Sequence, residues 1–303
     1  MGRSALIAAI LALCLAGCVD RASPPSASPT HQAFVHPSLA PEPLKAQFSY
    51  DRSTPVKVTP VSSQDAGGVR IEEITYDAGV GTPVDAKLVT PLAPPAGKLA
   101  GIVLAHAAGL RNAEYLGDAQ LLAVKGAAVL LPTVPLPPNL DSPAATPKLF
   151  TDAVRAQRRA VDVLLARSDV DPSRLGFGGH SWGATQAAIM SGVEDRLSAV
   201  VIDATTDRLS EYLAPTGEKR TEYLEVLTRF DAVRYVAMPG RRTLFFQFGT
   251  QDREVTNEQA DRLAAAAVAP KERRNYPTGH DVVGFPSAQT DRVAFLGRVL
   301  KLS

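Results

Sequence analysis

Cysteine is almost absent from the chain. There are two, Cys14 and Cys18, both close to the N-terminus. The rest of the sequence can therefore hold neither a disulfide framework nor a thiolate metal site. An excess of one charge is missing as well. The formal net charge is +1, and no block of Lys and Arg interrupts the sequence. That leaves no electrostatic footprint for a nucleic-acid partner. Long apolar runs are scarce too. The most continuous one, Ala5 to Ala16, falls short of the roughly 20 residues that a spanning helix needs. What is present in quantity is ordinary core material. Hydrophobic residues make up 45% of 303, enough to bury one large core.

The N-terminal run has the order of an export signal: Arg3, then the apolar stretch, then Leu15-Ala16-Gly17-Cys18. Those last four residues resemble a bacterial lipobox. The resemblance implies cleavage before Cys18, leaving residues 1–17 as a signal peptide. It also implies acylation of Cys18, with several acyl chains holding the protein on a membrane of the cell envelope. Residues 18–55 carry Pro24, Pro25, Pro29, Pro37, Pro41 and Pro43 among Ser and Ala, with no periodic apolar pattern. They read as an extended tether.

From residue 56 onward the pattern is that of a folded domain, 56–303. Val69–Tyr76 and Val84–Thr90 read as strands joined through Gly79 and Gly81, an antiparallel hairpin. Continuous apolar runs follow at Gly101–Ala105, Ala127–Leu131, Leu175–Gly178, Ala199–Ile202 and Thr243–Phe248. Such runs fit strands covered on both faces. Helical segments separate them, at Ala113–Lys125, Pro147–Ala166, Ala184–Met190, Asn257–Ala267 and Asp291–Leu300. The alternation predicts an α/β fold: a mostly parallel central sheet, an antiparallel N-terminal hairpin at its edge, and helices on both faces. Residues 205–240 are longer than a simple connection. They are either a crossover helix with its loop or a cap over the site.

Chemistry concentrates at Gly179-His180-Ser181-Trp182-Gly183, a G-x-S-x-G sequence between a short apolar strand and an Ala-rich helix. This strand–turn–helix setting is what a nucleophile elbow requires. A serine hydroxyl needs a base to take its proton. Of five histidines, His31 and His36 fall in the tether, His106 ends an early strand and His180 neighbours the serine. His280 follows the nucleophile in a loop after the strand Glu272–Tyr276 and is the expected base. Asp252, after Thr243–Phe248, is the expected acid, with Asp203 as competitor; Asp281 adjoins the base and faces away from it. Two backbone N–H groups should hold an oxyanion. Trp182 is the first expected donor. The loop His106-Ala107-Ala108-Gly109 should supply the second, from Ala108, or from Ala107 as the next choice. The Trp182 ring either lines the acyl pocket or packs internally.

The pieces His106–Gly109, Asp171–Gly183, Phe248–Asp252 and Gly279–His280 resemble the α/β-hydrolase fold over residues 70 to 300. Within it they are similar to the dienelactone-hydrolase-like and prolyl-oligopeptidase-like esterases. The resemblance implies a serine carboxylic-ester hydrolase acting on a small-molecule ester or acyl substrate, with no metal or organic cofactor. Two departures matter. Dienelactone hydrolases have a cysteine where this chain has Ser181, and the oxyanion loop reads Ala-Ala where many esterases have Gly-Gly. Thioester hydrolysis, acyl transfer and peptide hydrolysis are alternatives on the same fold. A non-catalytic envelope lipoprotein serving as a binding module is the alternative outside enzymes.

Overall fold

The computed structural model describes residues 34–109, 112–134 and 142–303. The expected signal peptide, Cys18, His31 and the first part of the expected tether lie outside the described residues. A short helix, α1 (Pro41–Ala46), comes first. Three strands follow: β1 (Val58–Ala66), β2 (Val69–Tyr76) and β3 (Val84–Pro91). The alternating part comprises β4 (Leu99–Ala105), α2 (Leu116–Val124), β5 (Ala127–Pro132), α3 (Thr146–Leu165), β6 (Val170–His180), α4 (Trp182–Val193) and β7 (Ala199–Asp203). Next come α5 (Leu209–Leu213), α6 (Arg220–Leu227), a 3₁₀ turn at Thr228–Phe230, and α7 (Ala232–Val236). The chain finishes with β8 (Thr243–Gly249), α8 (Asn257–Ala266), β9 (Lys271–Tyr276) and α9 (Pro286–Val299).

The nine strands form one sheet in the order β1-β2-β3-β5-β4-β6-β7-β8-β9. Pairing is antiparallel as far as β3 with β5 and parallel from there on. β4, β5 and β7 are buried along their whole length, as their unbroken apolar runs imply. Ile102, Leu104, Val129, Leu131 and Val201 share a core cluster with Leu122 of α2 and with Phe295 and Leu296 of α9. Alternation puts Val103, Leu130 and Val200 on the opposite face, where α3 and α4 pack.

Three expectations change. β1 went unread because it is exposed throughout and carries Pro60, so it has no apolar period. A proline fits an edge strand, where a missing N–H breaks no ladder bond, and the register shifts beside it. The expected hairpin is thus the middle pair of an antiparallel run that starts at β1 and ends where β3 pairs with β5.

The tether boundary at residue 55 also moves. Residues from His36 onward belong to the folded unit. Leu44 and Phe48 are buried, and Phe48 stands edge-on to Phe230 and Tyr235. Arg155, Arg158 and Arg159 of α3 donate to the carbonyls of Gln47, Phe48 and Thr54. Two apolar anchors and three guanidiniums outweigh the loop-like composition.

Residues 205–240 divide between the two readings. α5 lies over the site, while α6 and α7 pack back against α3 and α4 as a crossover.

Candidate active site

Where β6 ends and α4 begins, Ser181 has φ 52° and ψ −110°. That left-handed backbone is costly for a residue with a side chain, on the order of 1–3 kcal/mol. The surroundings hold it there. The Ser181 N–H donates to the Asp203 carbonyl at 2.9 Å, and the Ser181 carbonyl accepts from Thr185 N–H at 2.9 Å. The flanking glycines are steric necessities. A Cβ on Gly179 would stand 2.2 Å from the Gly183 carbonyl oxygen, and one on Gly183 would stand 2.2 Å from the Ala105 carbonyl oxygen. The turn therefore projects the hydroxyl above the carboxyl ends of the strands, with the N-terminal end of α4 beneath it.

His280 reaches this hydroxyl from the loop after β9. Its Nε2 lies 2.9 Å from Ser181 Oγ, and its Nδ1 lies 2.8 Å from Asp252 Oδ2. A carboxylate can only accept, so Nδ1 carries the proton and Nε2 is left to accept from the serine. The other Asp252 oxygen accepts from the N–H groups of Glu254 (2.8 Å) and Val255 (3.1 Å). Burial acts to raise the Asp252 pKa, but the His280 hydrogen bond and these two amides prevail and hold it below the usual carboxylate range.

The competitors fall elsewhere. Asp203 is fully buried. It accepts from Tyr115 Oη at 2.7 Å and from Arg292 Nη1 at 3.0 Å. Burial raises its pKa despite the guanidinium. Asp281 accepts from Gly284 N–H at 2.9 Å. His36 bonds Glu211 at 2.7 Å. Trp182 begins α4 with its ring buried, edge-on to Phe150 at 5.1 Å. Ala108 is exposed beside Ser181. Ala107 is not free to hold an oxyanion, because its N–H already donates to Glu114 Oε2 at 2.7 Å.

Two hollows meet at Ser181, Ala108, Glu254 and His280. One, of about 310 Å³, is walled by Trp182, Leu209, Leu213 and Val255, with Thr185 and Thr205 completing it. The other, of about 690 Å³, has Glu114, Asp118, His180, Asp281 and Gln289 around it. Glu254 stands between them, its Oε2 accepting from Tyr212 Oη at 3.1 Å and lying 3.6 Å from His280 Nε2. Sequence reasoning missed Glu114 and Glu254. Glu254 is two positions beyond Asp252 in a polar loop, and Glu114 carries no motif. Among the described residues no group of His, Cys, Asp and Glu is arranged to hold a metal ion.

Comparison with solved structures gives overlays along most of the chain. An acetyl xylan esterase from a Paenibacillus species superposes with TM-score 0.70, covering 86% of this chain and 93% of that one at 19% identity. The fold is that of the α/β-hydrolases. An acetyl xylan esterase from a Thermoanaerobacterium species gives TM-score 0.71 at 15% identity over 85% and 92%. A cold-adapted esterase from an Arctic intertidal metagenomic library gives 0.56 at 16% identity over 79% and 97%. No family model matches the chain, and no curated protein matches its sequence. Ser181 directly follows β6, Asp252 lies in the loop after β8 and His280 in the loop after β9. That chain order, Ser then Asp then His, is the one a nucleophilic triad takes in this fold.

Proposed function

We propose that this α/β-hydrolase is a serine carboxylic-ester hydrolase working through an acyl-enzyme. The continuous relay from Ser181 Oγ through His280 to Asp252 carries the reading, and the fold shared with esterases supports it. In the forward half-reaction the Ser181 oxygen bonds to the ester carbonyl carbon while its proton passes to His280 Nε2. Asp252 stabilises the imidazolium formed. The N–H groups of Trp182 and Ala108 receive the oxyanion. Collapse breaks the bond to the alcohol oxygen, which leaves with the proton from Nε2. Water then repeats the sequence on the acyl-enzyme, releasing the acid and restoring Ser181.

The apolar hollow under α5 suits the acyl chain, and the wider cleft on the other side of Ser181, with its ring of charged side chains, suits the alcohol. A set of p-nitrophenyl esters of graded acyl length, tested with wild type and Ser181→Ala, examines the reading. Wild type should release p-nitrophenol and Ser181→Ala should not. Equal rates for the two proteins would sink it.

A further inference from the structure

The middle position before the serine in G-x-S-x-G takes no part in the relay, yet here it is His180, 3% exposed. Its surroundings connect parts of the site that share no element. Nδ1 of His180 lies 2.6 Å from Glu114 Oε1, and Nε2 lies 2.9 Å from the backbone carbonyl oxygen of His280. The second oxygen of Glu114 accepts the Ala107 N–H at 2.7 Å. We propose that Glu114 is a positioning residue that ties the oxyanion-donor loop, through His180, to the loop carrying the base. The inference rests on the esterase reading given above.

The loop end of this brace bears on a single residue, Ala107, through the two peptides that flank it. Glu114 fixes the nitrogen of Ala107, and His106 Nδ1 donates to the oxygen of Ala107 at 2.6 Å. The carbonyl of Ala107 and the N–H of Ala108 belong to one planar trans peptide and point opposite ways. Pinning the oxygen therefore aims the Ala108 N–H. Burial lowers the His106 pKa, which suits a neutral ring whose one proton sits on Nδ1.

The other end bears on the base. Both ring nitrogens of His180 face acceptors, a carboxylate and a carbonyl, and neither of these can donate. Both nitrogens therefore carry protons, and the imidazolium charge is matched by Glu114. Burial acts to depress the His180 pKa, but the Glu114 hydrogen bond and charge prevail and raise it, with Asp203 of β7 adding to them. The His280 ring lies 5.1 Å from the His180 ring. The brace is backed from within, since Tyr115, next to Glu114, is buried and donates to Asp203, which Arg292 also binds. An oxyanion donor and a base must act on one tetrahedral centre. A misplacement of about 1 Å between such groups costs on the order of 100-fold in rate.

The test is steady-state hydrolysis of p-nitrophenyl butyrate by the full chain, with Glu114→Ala, Glu114→Gln and His180→Asn compared with wild type. Circular dichroism confirms the folded fraction of each. Glutamine can still accept from Ala107 N–H and donate to a neutral His180, whose Nε2–H still reaches His280. Glu114→Ala should lower kcat roughly 30-fold to 100-fold, with KM changed less than about threefold. Glu114→Gln should recover most of that loss. His180→Asn, which keeps the Glu114 contact but cannot reach His280, should lose kcat like Glu114→Ala, and it carries the test if Glu114→Ala does not fold. The double variant Glu114→Ala/His180→Asn should be no worse than either single one, as members of one unit are non-additive.

A folded Glu114→Ala or His180→Asn with kcat within about twofold of wild type overturns the brace, as does a Glu114→Gln no better than Glu114→Ala. A wild-type chain that hydrolyses no ester overturns the esterase reading and the brace with it.

Discussion

Asp252 meets His280 at 2.8 Å with its side chain only 1% exposed, while the imidazole it holds is 20% exposed. The pair is sealed at the acid and open at the base, so the imidazole can reach substrate without losing its partner. Asp252→Asn presents an amide that can hold the wrong tautomer, with Nε2 protonated and unable to accept from Ser181. Kcat should fall by roughly 10³–10⁴-fold with KM little changed. Steady-state kinetics on a p-nitrophenyl ester checks this.

The depressed pKa of Asp252 also makes a statement about stability. The folded pKa lies below the unfolded value, near 4, so the stabilisation is complete above that value. It is lost as pH falls through the lowered folded pKa. Melting temperatures of wild type and Asp252→Asn, followed from pH 7 down through the carboxylate range, should converge as Asp252 protonates. A constant gap across that range would contradict the coupling.

Arg292 is fully buried and bonds Asp118, Asp203, Gln247 and the Val283 carbonyl. Arg292→Met removes one charge and strands two carboxylates beneath the site. Breaking such a buried set costs about 3–5 kcal/mol, which for a domain of this size lowers Tm by roughly 5–9 °C. Thermal unfolding followed by circular dichroism measures it.

Substrate length should be set by the hollow under α5. While room remains, each added methylene buried there contributes up to about 0.8 kcal/mol, or roughly fourfold in kcat/KM. Leu213→Trp fills part of that space. It should cut kcat/KM for an octanoyl ester at least about tenfold and leave the acetyl ester nearly unchanged.

For the N-terminus we propose that the lipobox-like sequence directs acylation of Cys18. Cys18→Ala in a bacterial host should move the protein from the membrane fraction to the soluble fraction and abolish incorporation of labelled palmitate.

The parts of this molecule that could be read from the sequence are those where one local rule dominates. β4, β5 and β7 are buried on both faces, and their composition says so. The elbow at Ser181 advertises itself through two glycines that touch backbone. Asp252 and His280 follow from the ends of readable strands. α8 begins with a capping box at Thr256 and Gln259. What stayed hidden depends on distant partners. β1 gains its ladder from β2 and buries nothing of its own. Phe48 is in the core because Phe230 and Tyr235 wait for it. Glu114 acquires its role from Ala107 and His180, the latter 66 residues away, and no spacing rule reports such an encounter. Ala107 and Ala108 looked nearly equivalent in sequence. One hydrogen bond to Glu114 separates them.

The most direct measurement is labelling of the folded full chain with a fluorophosphonate, followed by mass spectrometric mapping. One adduct per chain is expected, on the peptide bearing Ser181, with labelling lost in Ser181→Ala and strongly slowed in His280→Ala. An adduct at another residue, or no adduct on folded protein that still hydrolyses esters, would contradict the assignment of Ser181 as the nucleophile.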